Sequence, residues 1–202
     1  MTPAIFPGTD PEHIQQAAQA LKKGLLVVLP TETVYGLGAD ADQDIACRAV
    51  FETKARPADH PLIVHVSSKE AAQHYAADIP DFAQNLINTF WPGPLTIIVK
   101  RKKGIGTAAA GGQNTIGLRC PSHPVAQQLI KVFEAIGGYG IAAPSANLFG
   151  STSPTTAQHV QQAFANVPDH SIAMILDGGA SLFGGHGHAR AEIGRASCRE
   201  RV

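Results

Sequence analysis

Short apolar runs alternate with amphipathic stretches along most of this 202-residue chain. Apolar runs bounded by glycine, proline or polar residues are typical of buried strands. They predict strands at 25–29, 62–66, 95–99, 115–119, 141–143 and 172–176. The first of these runs ends at Pro30 and leads into Thr-Glu-Thr-Val-Tyr-Gly-Leu-Gly, which ends at Gly38. We expect this stretch to be a loop, either an ordinary strand-to-helix turn or a ligand-binding loop.

Apolar residues spaced three and four apart predict the helices that separate these strands. The first begins with Asp10 as N-cap and Pro11 in its first turn, and it ends at Gly24. Further helices are predicted at 42–53, 80–90, 123–136 and 153–164, with a short one from 67. Interleaved strands and helices indicate a single α/β domain around one twisted sheet. The connections are not uniform, which favours a mixed sheet.

The composition favours a globular protein with a full core. Apolar residues make up 44% and charged residues 16%, and the net charge is zero. No apolar run approaches the ~18 residues of a membrane span, and the N-terminus does not resemble a secretory signal. The three cysteines form no CxxC or metal-binding pattern. We therefore expect a cytoplasmic protein with no membrane contact, no general affinity for nucleic acid and no protein metal site.

Several cationic residues lie at the ends of predicted elements. Lys54 and Arg56 flank a helix end and could grip a phosphate, although a solvated basic turn is the simpler interpretation. Arg119 ends an apolar strand, where it requires an anion. That anion could be a substrate carboxylate or an acid of this protein. The basic run from Lys100 to Lys103 is typical of a solvated edge, with RNA contact as an alternative.

The remaining candidates are polar residues next to predicted strands. Ser145 and Asn147 follow the strand at 141–143 and could bind a ligand or form a cap or Asx turn. His65 lies on a strand, where a hydrogen-bonded core histidine is the commoner case. The chain contains no phosphate-binding GxxxxGK[ST] loop, no GxGxxG after a strand and no GxSxG nucleophile.

Seven ordered motifs together resemble the YrdC family, the threonylcarbamoyl-adenylate synthases, over about residues 10–184. They are PTETVYGLG, KARP, HPLIVH, WPGPLT, LRCPSHP, APSAN and ILDGG. The resemblance implies a twisted mixed sheet with helices around a deep concave cavity. It also implies the synthesis of threonylcarbamoyl-AMP from L-threonine, bicarbonate and ATP, with release of pyrophosphate. The product would serve a tRNA threonylcarbamoyl transferase complex that modifies tRNA next to the anticodon.

The resemblance also implies site residues at matching positions. Thr33, His65 and Arg119 would bind threonine, with Arg119 on its carboxylate. Lys54 and Arg56 would be the catalytic cations on the phosphates. The nucleotide side would comprise Lys54, Arg56, Thr115, Ala143, Ser145, Asn147 and Ser153. Mg²⁺ is expected with ATP, and no organic cofactor is expected.

The chain departs from the family pattern after Gly184. The Gly-Val-Glu-Ser-Thr strand of the family is missing, and residues 192–202 can be back-translated to a common sequencing-adapter read. We therefore expect a YrdC-like domain at 1–184, shortened at its C-terminal side, and a non-native tail at 185–202. A missing strand would expose a sheet edge and open one cavity wall, so we expect weak activity or none.

Two other functions remain open on the sequence. One is a carbamoyltransferase of the hydrogenase-maturation type, which has a similar core. The other is a non-catalytic RNA-binding module that uses the concave face of the same fold. Threonine-dependent consumption of ATP would distinguish the synthase from the binding module.

Overall fold

The computed structural model of the chain describes residues 2–168 and 171–182, and the backbone of 190–192. The strands are β1 (Ile5–Pro7), β2 (Leu26–Pro30), β3 (Tyr35–Asp40), β4 (Ile63–His65), β5 (Thr96–Lys100), β6 (Thr115–Arg119), β7 (Ile141–Ala142), β8 (Ile172–Asp177) and β9 (Arg190–Glu192). The helices are α1 (Pro11–Lys22), α2 (Asp44–Lys54), α3 (Lys69–Ala72), α4 (Asp81–Phe90), α5 (Pro124–Ala135) and α6 (Ala157–Phe164). No helix in these ranges is long and apolar enough to cross a membrane.

The strands form one mixed sheet in the order β1-β8-β2-β3-β7-β4-β6-β5-β9. β2 pairs antiparallel with β3 and parallel with β8, while β4 pairs parallel with β6 and antiparallel with β7. Parallel and antiparallel neighbours therefore coexist in one sheet. The predicted α/β fold with a mixed sheet is confirmed.

Helices cover both faces of this sheet. Along β2, Leu26 and Val28 belong to one apolar cluster, and Val27 and Leu29 belong to a second. Neighbouring side chains in a strand point to opposite faces, so a strand covered on both sides is apolar at every position. The second cluster includes residues of α1 and α5, and the first includes residues of α2, α4 and α6.

The prediction of a loop through Gly38 was wrong. The chain turns at residues 31–34 and returns as β3, which pairs Gly36 with Leu29 and Gly38 with Val27. The glycines serve close packing here, because a Cβ on Gly38 would lie 2.8 Å from a methyl carbon of Ile141.

Besides β3, two more strands lie outside the predicted set. β1 is only three residues long and pairs with β8 at one edge of the sheet. β9 falls within the segment expected to be a non-native tail, and it pairs parallel with β5 through Thr96–Ile98. The expected open edge is therefore covered at these positions, because backbone groups alone can complete a sheet ladder. The rest of the tail prediction lies outside the described residues.

Candidate active site

The turn between β2 and β3 is fixed by the hydroxyl of Thr31. This hydroxyl donates to the Val34 carbonyl at 2.6 Å and accepts from the N–H groups of Thr33 and Val34 at 3.3 and 3.2 Å. The hydroxyls of Thr31 and Thr33 are 3.0 Å apart. Side-chain bonds of this kind make a turn rigid. The Thr33 hydroxyl is therefore held in one place.

A buried ion pair joins this turn to the end of β6. Arg119 Nη2 lies 2.7 Å from Glu32 Oε1, and both side chains are at most 5% exposed. Arg119 Nη1 donates to Thr33 Oγ1 at 3.2 Å, and its Nε donates to the Gly93 carbonyl at 3.3 Å. The other Glu32 oxygen accepts from the Ser122 N–H at 3.2 Å. The guanidinium is thus held by two parts of the chain, the turn that carries Glu32 and Thr33 and the backbone at Gly93.

Of the two anions predicted for Arg119, the structure shows the acid of this protein, Glu32. This ion pair does not exclude a substrate anion. A guanidinium carries five N–H donors. The three contacts to Glu32, Thr33 and Gly93 leave the others for a ligand.

Lys54 is a buried cation at the end of α2. It is 1% exposed, and its ammonium donates to the carbonyl oxygens of Ser145 at 2.5 Å and of Asn147. Among the described residues, no carboxylate lies within ion-pair distance of it. Burial, followed by the charge of Arg56, lowers the pKa of Lys54 from 10.5 to about 8. The interpretation as a solvated turn is wrong for Lys54.

The backbone between the two cations has an unusual conformation. Ala55 adopts the left-handed region, with φ 50° and ψ 42°, which non-glycine residues rarely occupy. This residue ends α2 and turns the chain towards Arg56. Arg56 is half-buried, and its Nη2 donates to the Pro61 carbonyl at 3.4 Å.

The segment after β7 wraps around Lys54. Ser145 forms a β-bridge with Gly36, which places it beside β3. The Asn147 amide donates to the carbonyl oxygens of Leu148 at 2.9 Å and Ser151 at 2.7 Å. Asn147 therefore braces its own loop by donating to two carbonyl oxygens, which is neither the cap nor the Asx turn that the sequence suggested, because in both of those the side-chain oxygen accepts.

One cavity brings together five of the predicted site residues. Thr33, His65, Arg119, Ala143 and Ser145 line it together with Thr31, Val34, Gly36, Ile63 and Pro144. His65 and Arg119 are register partners in the parallel β4–β6 ladder, so their side chains lie on the same face. Lys54 adjoins the cavity through its bond to the Ser145 carbonyl.

Five of the seven predicted nucleotide residues do not line this cavity: Lys54, Arg56, Thr115, Asn147 and Ser153. Thr115 lines a neighbouring cavity that shares Ile63 with the first. Ser153 is exposed, and it precedes Pro154, whose carbonyl accepts from the Tyr35 N–H at 2.9 Å. Both residues therefore flank the central cavity.

Sequence reasoning missed the roles of Glu32 and Tyr35. The Tyr35 hydroxyl lies 2.7 Å from the Gly179 carbonyl and 3.2 Å from a carboxylate oxygen of Asp177. Burial raises the pKa of this phenol to about 12. The Ser181 hydroxyl donates to the Thr31 carbonyl at 2.9 Å. The segment after β8 is thereby fastened onto the Thr31–Val34 turn.

One feature of the sequence could have drawn attention to both residues. Glu32 lies between the two threonines, and Tyr35 lies between Thr33 and Gly36 in the same short stretch. Nothing in the sequence identified their partners. Arg119 lies 87 positions after Glu32 in the numbering, and Gly179 lies 144 positions after Tyr35. Such pairings are visible only in the folded chain.

Comparisons with known proteins identify the family of this chain. A family model described as "Sua5_yciO_yrdC: Telomere recombination" matches residues 19–186. The chain is 43% identical over 171 residues to a threonylcarbamoyl-AMP synthase of Pyrococcus abyssi, covering 85% of this chain and 48% of that protein. It is 42% identical over 177 residues to a threonylcarbamoyl-AMP synthase of Bacillus subtilis, covering 87% and 49%.

A solved structure, that of P. abyssi Sua5 complexed with L-threonine, matches with a TM-score of 0.84 and 39% identity. The match covers 94% of this chain and 53% of that one. The chain thus spans about half the length of these relatives. The family match, the identities and the shared fold lead to one conclusion: the chain belongs to the Sua5/YciO/YrdC family.

Proposed function

We propose that this chain makes threonylcarbamoyl-AMP from L-threonine, bicarbonate and ATP and releases pyrophosphate. One observation carries the proposal: the buried Lys54 ammonium has no carboxylate partner in the described chain, and it adjoins a cavity that is lined in part by Arg119. A buried cation is costly unless an anion binds it. Relatives named threonylcarbamoyl-AMP synthase and a relative complexed with L-threonine indicate which anions to expect.

The threonine would occupy the part of the cavity next to the Thr31–Val34 turn. Arg119 would donate its remaining N–H groups to the substrate carboxylate, a geometry that guanidinium groups favour. Thr33 and His65 line the same cavity and would contact the polar groups of the amino acid. Glu32 would keep the guanidinium in place before the substrate arrives.

The triphosphate would lie on the opposite side, against Lys54 and Arg56. Thr115, Ala143, Ser145, Asn147 and Ser153 complete the proposed nucleotide side. Magnesium would arrive with ATP, coordinated by phosphate oxygens. In the described residues no three His, Cys, Asp or Glu side chains come together as metal ligands.

The reaction would need no protein nucleophile. The threonine amine takes up carbon dioxide from bicarbonate to give a carbamate. A carbamate oxygen then attacks the α-phosphorus of ATP, the bond to the bridging β-phosphate oxygen breaks, and pyrophosphate leaves. The cations would position the phosphates and stabilise the developing charge, which is the main catalytic demand of phosphoryl chemistry.

The product would pass to a tRNA threonylcarbamoyl transferase complex in the cytoplasm. Threonylcarbamoyl-AMP is a mixed anhydride, and such a compound requires a consuming partner nearby. Direct RNA contact through Lys100–Lys103 is a separate proposal, and the proposed synthase activity does not depend on it.

Pyrophosphate release from ATP tests the proposed function. We expect release that depends on both threonine and bicarbonate, and a matching increase in threonylcarbamoyl-AMP by mass spectrometry. Lys54→Met is expected to abolish it, while Lys103→Met, at an exposed lysine, is expected to retain it. Pyrophosphate release that is unchanged without threonine would refute the proposal.

A further inference from the structure

The loop of residues 147–151 holds a large aromatic ring in solvent beside Lys54. Phe149 is 51% exposed, and its N–H donates to the Lys54 carbonyl at 3.0 Å. A half-exposed phenylalanine is not unusual by itself. Its position requires an explanation, because its backbone is bonded to that of Lys54 and it follows Asn147, whose carbonyl accepts from the buried Lys54 ammonium, by two residues.

The backbone of this loop is braced, so the exposed ring is held in place. The Asn147 amide spans the loop to the Leu148 and Ser151 carbonyl oxygens. The Ser151 N–H also donates to the Leu148 carbonyl at 3.0 Å. Gly150 has φ +83°, a conformation that favours glycine at the tip of the turn. The loop therefore presents Phe149 from a fixed backbone.

A second aromatic ring, that of His60, contacts Phe149. The ring centroids of His60 and Phe149 are 5.7 Å apart with a tilt of 59°. His60 is exposed and belongs to the segment that joins Arg56 to Pro61. The aromatic pair thus bridges the two backbone segments that carry Lys54 and Arg56 on one side and Asn147 on the other.

We propose that Phe149 stacks on the adenine of ATP while the phosphates lie against Lys54 and Arg56. The inference rests on the proposed function, because it requires a nucleotide at these cations. Aromatic side chains bind the flat faces of nucleobases, and each stacked base typically contributes about 5- to 150-fold in affinity. His60 would support the edge of the Phe149 ring. Phe149 would therefore distinguish a nucleotide from a bare polyphosphate.

Calorimetric titration with ATP and with tripolyphosphate tests this assignment on the full chain. We expect Phe149→Ala to weaken ATP binding by about 5- to 150-fold and to leave tripolyphosphate binding within about twofold. Phe149→Trp is expected to retain ATP affinity, since tryptophan offers a larger stacking face. The control is Phe82→Ala on α4, at a residue that is 64% exposed, and it should change neither affinity.

Different results would overturn different claims. ATP affinity within twofold of the parent chain in Phe149→Ala would refute the stacking role. An equal loss for ATP and tripolyphosphate would show that Phe149 only supports the loop around Lys54, which also refutes it. A parent chain that binds neither ligand would refute the proposed nucleotide site itself, and the stacking role with it.

Discussion

Lys54 allows a direct test of the proposed phosphate site, because its lowered pKa can be measured through the protons that the protein binds. Its pKa falls from 10.5 to about 8, chiefly through burial. At about 1.4 kcal/mol per pKa unit, the charged ammonium costs the ligand-free protein about 3 kcal/mol at neutral pH. The unfolded chain binds more protons than the folded chain between about pH 8 and 10.5. The contribution of Lys54 to stability therefore rises with pH across that window.

A bound phosphate would reverse this shift. If the triphosphate restores an ordinary lysine pKa, binding should draw about 0.1 proton onto Lys54 at pH 7 and about 0.9 proton at pH 9. The uptake increases with pH because the ligand-free amine is mostly neutral at pH 9. A surface lysine would contribute almost nothing at either pH.

Calorimetry in pairs of buffers with different ionisation enthalpies measures this uptake. The parent chain should show the increase between pH 7 and 9, and Lys103→Met should reproduce it. In parallel, ¹³C-labelled lysine spectra of the ligand-free protein should contain one resonance with a midpoint near pH 8, absent from Lys54→Met. Proton uptake that does not change between pH 7 and 9, or no such resonance, would refute the reasoning.

Four further substitutions test the local geometry through urea unfolding. Glu32→Gln leaves the buried Arg119 without its counter-charge and should lower the unfolding free energy by about 3–5 kcal/mol; an unchanged midpoint would contradict the ion pair. Tyr35→Phe removes the hydroxyl beside the Gly179 carbonyl and should cost about 1–2 kcal/mol, whereas no loss would show that this contact is not maintained in solution. Ala55→Gly should raise the unfolding free energy by up to about 1 kcal/mol, because glycine adopts the left-handed conformation without strain. Gly24→Ala, at φ +81°, should lower the unfolding free energy by about 1–2 kcal/mol. If both substitutions change the unfolding free energy in the same direction, the strain at Ala55 is contradicted.

Much of the architecture could be predicted from local pattern. The strands at β4, β5, β6 and β8 and the helices α1, α4 and α5 lie within a few residues of their predicted positions. The strands are apolar runs and the helices are amphipathic, and both signals are local in sequence, as is the Asp10 cap before α1. β3 was missed because its glycines are typical of a turn, and because one of the two strands it packs between, β7, belongs to a distant segment.

For the candidate active site, the sequence alone predicted which residues would carry the chemistry, and the ordered motifs placed the chain in one family. Only the tertiary structure decided how they are held. It paired Arg119 with Glu32, surrounded the Lys54 ammonium with carbonyl oxygens, and set Phe149 beside it. The physical reason is that residue type specifies charge and hydrogen-bonding capacity, whereas desolvation and the choice of partner depend on atoms that are far apart in the chain.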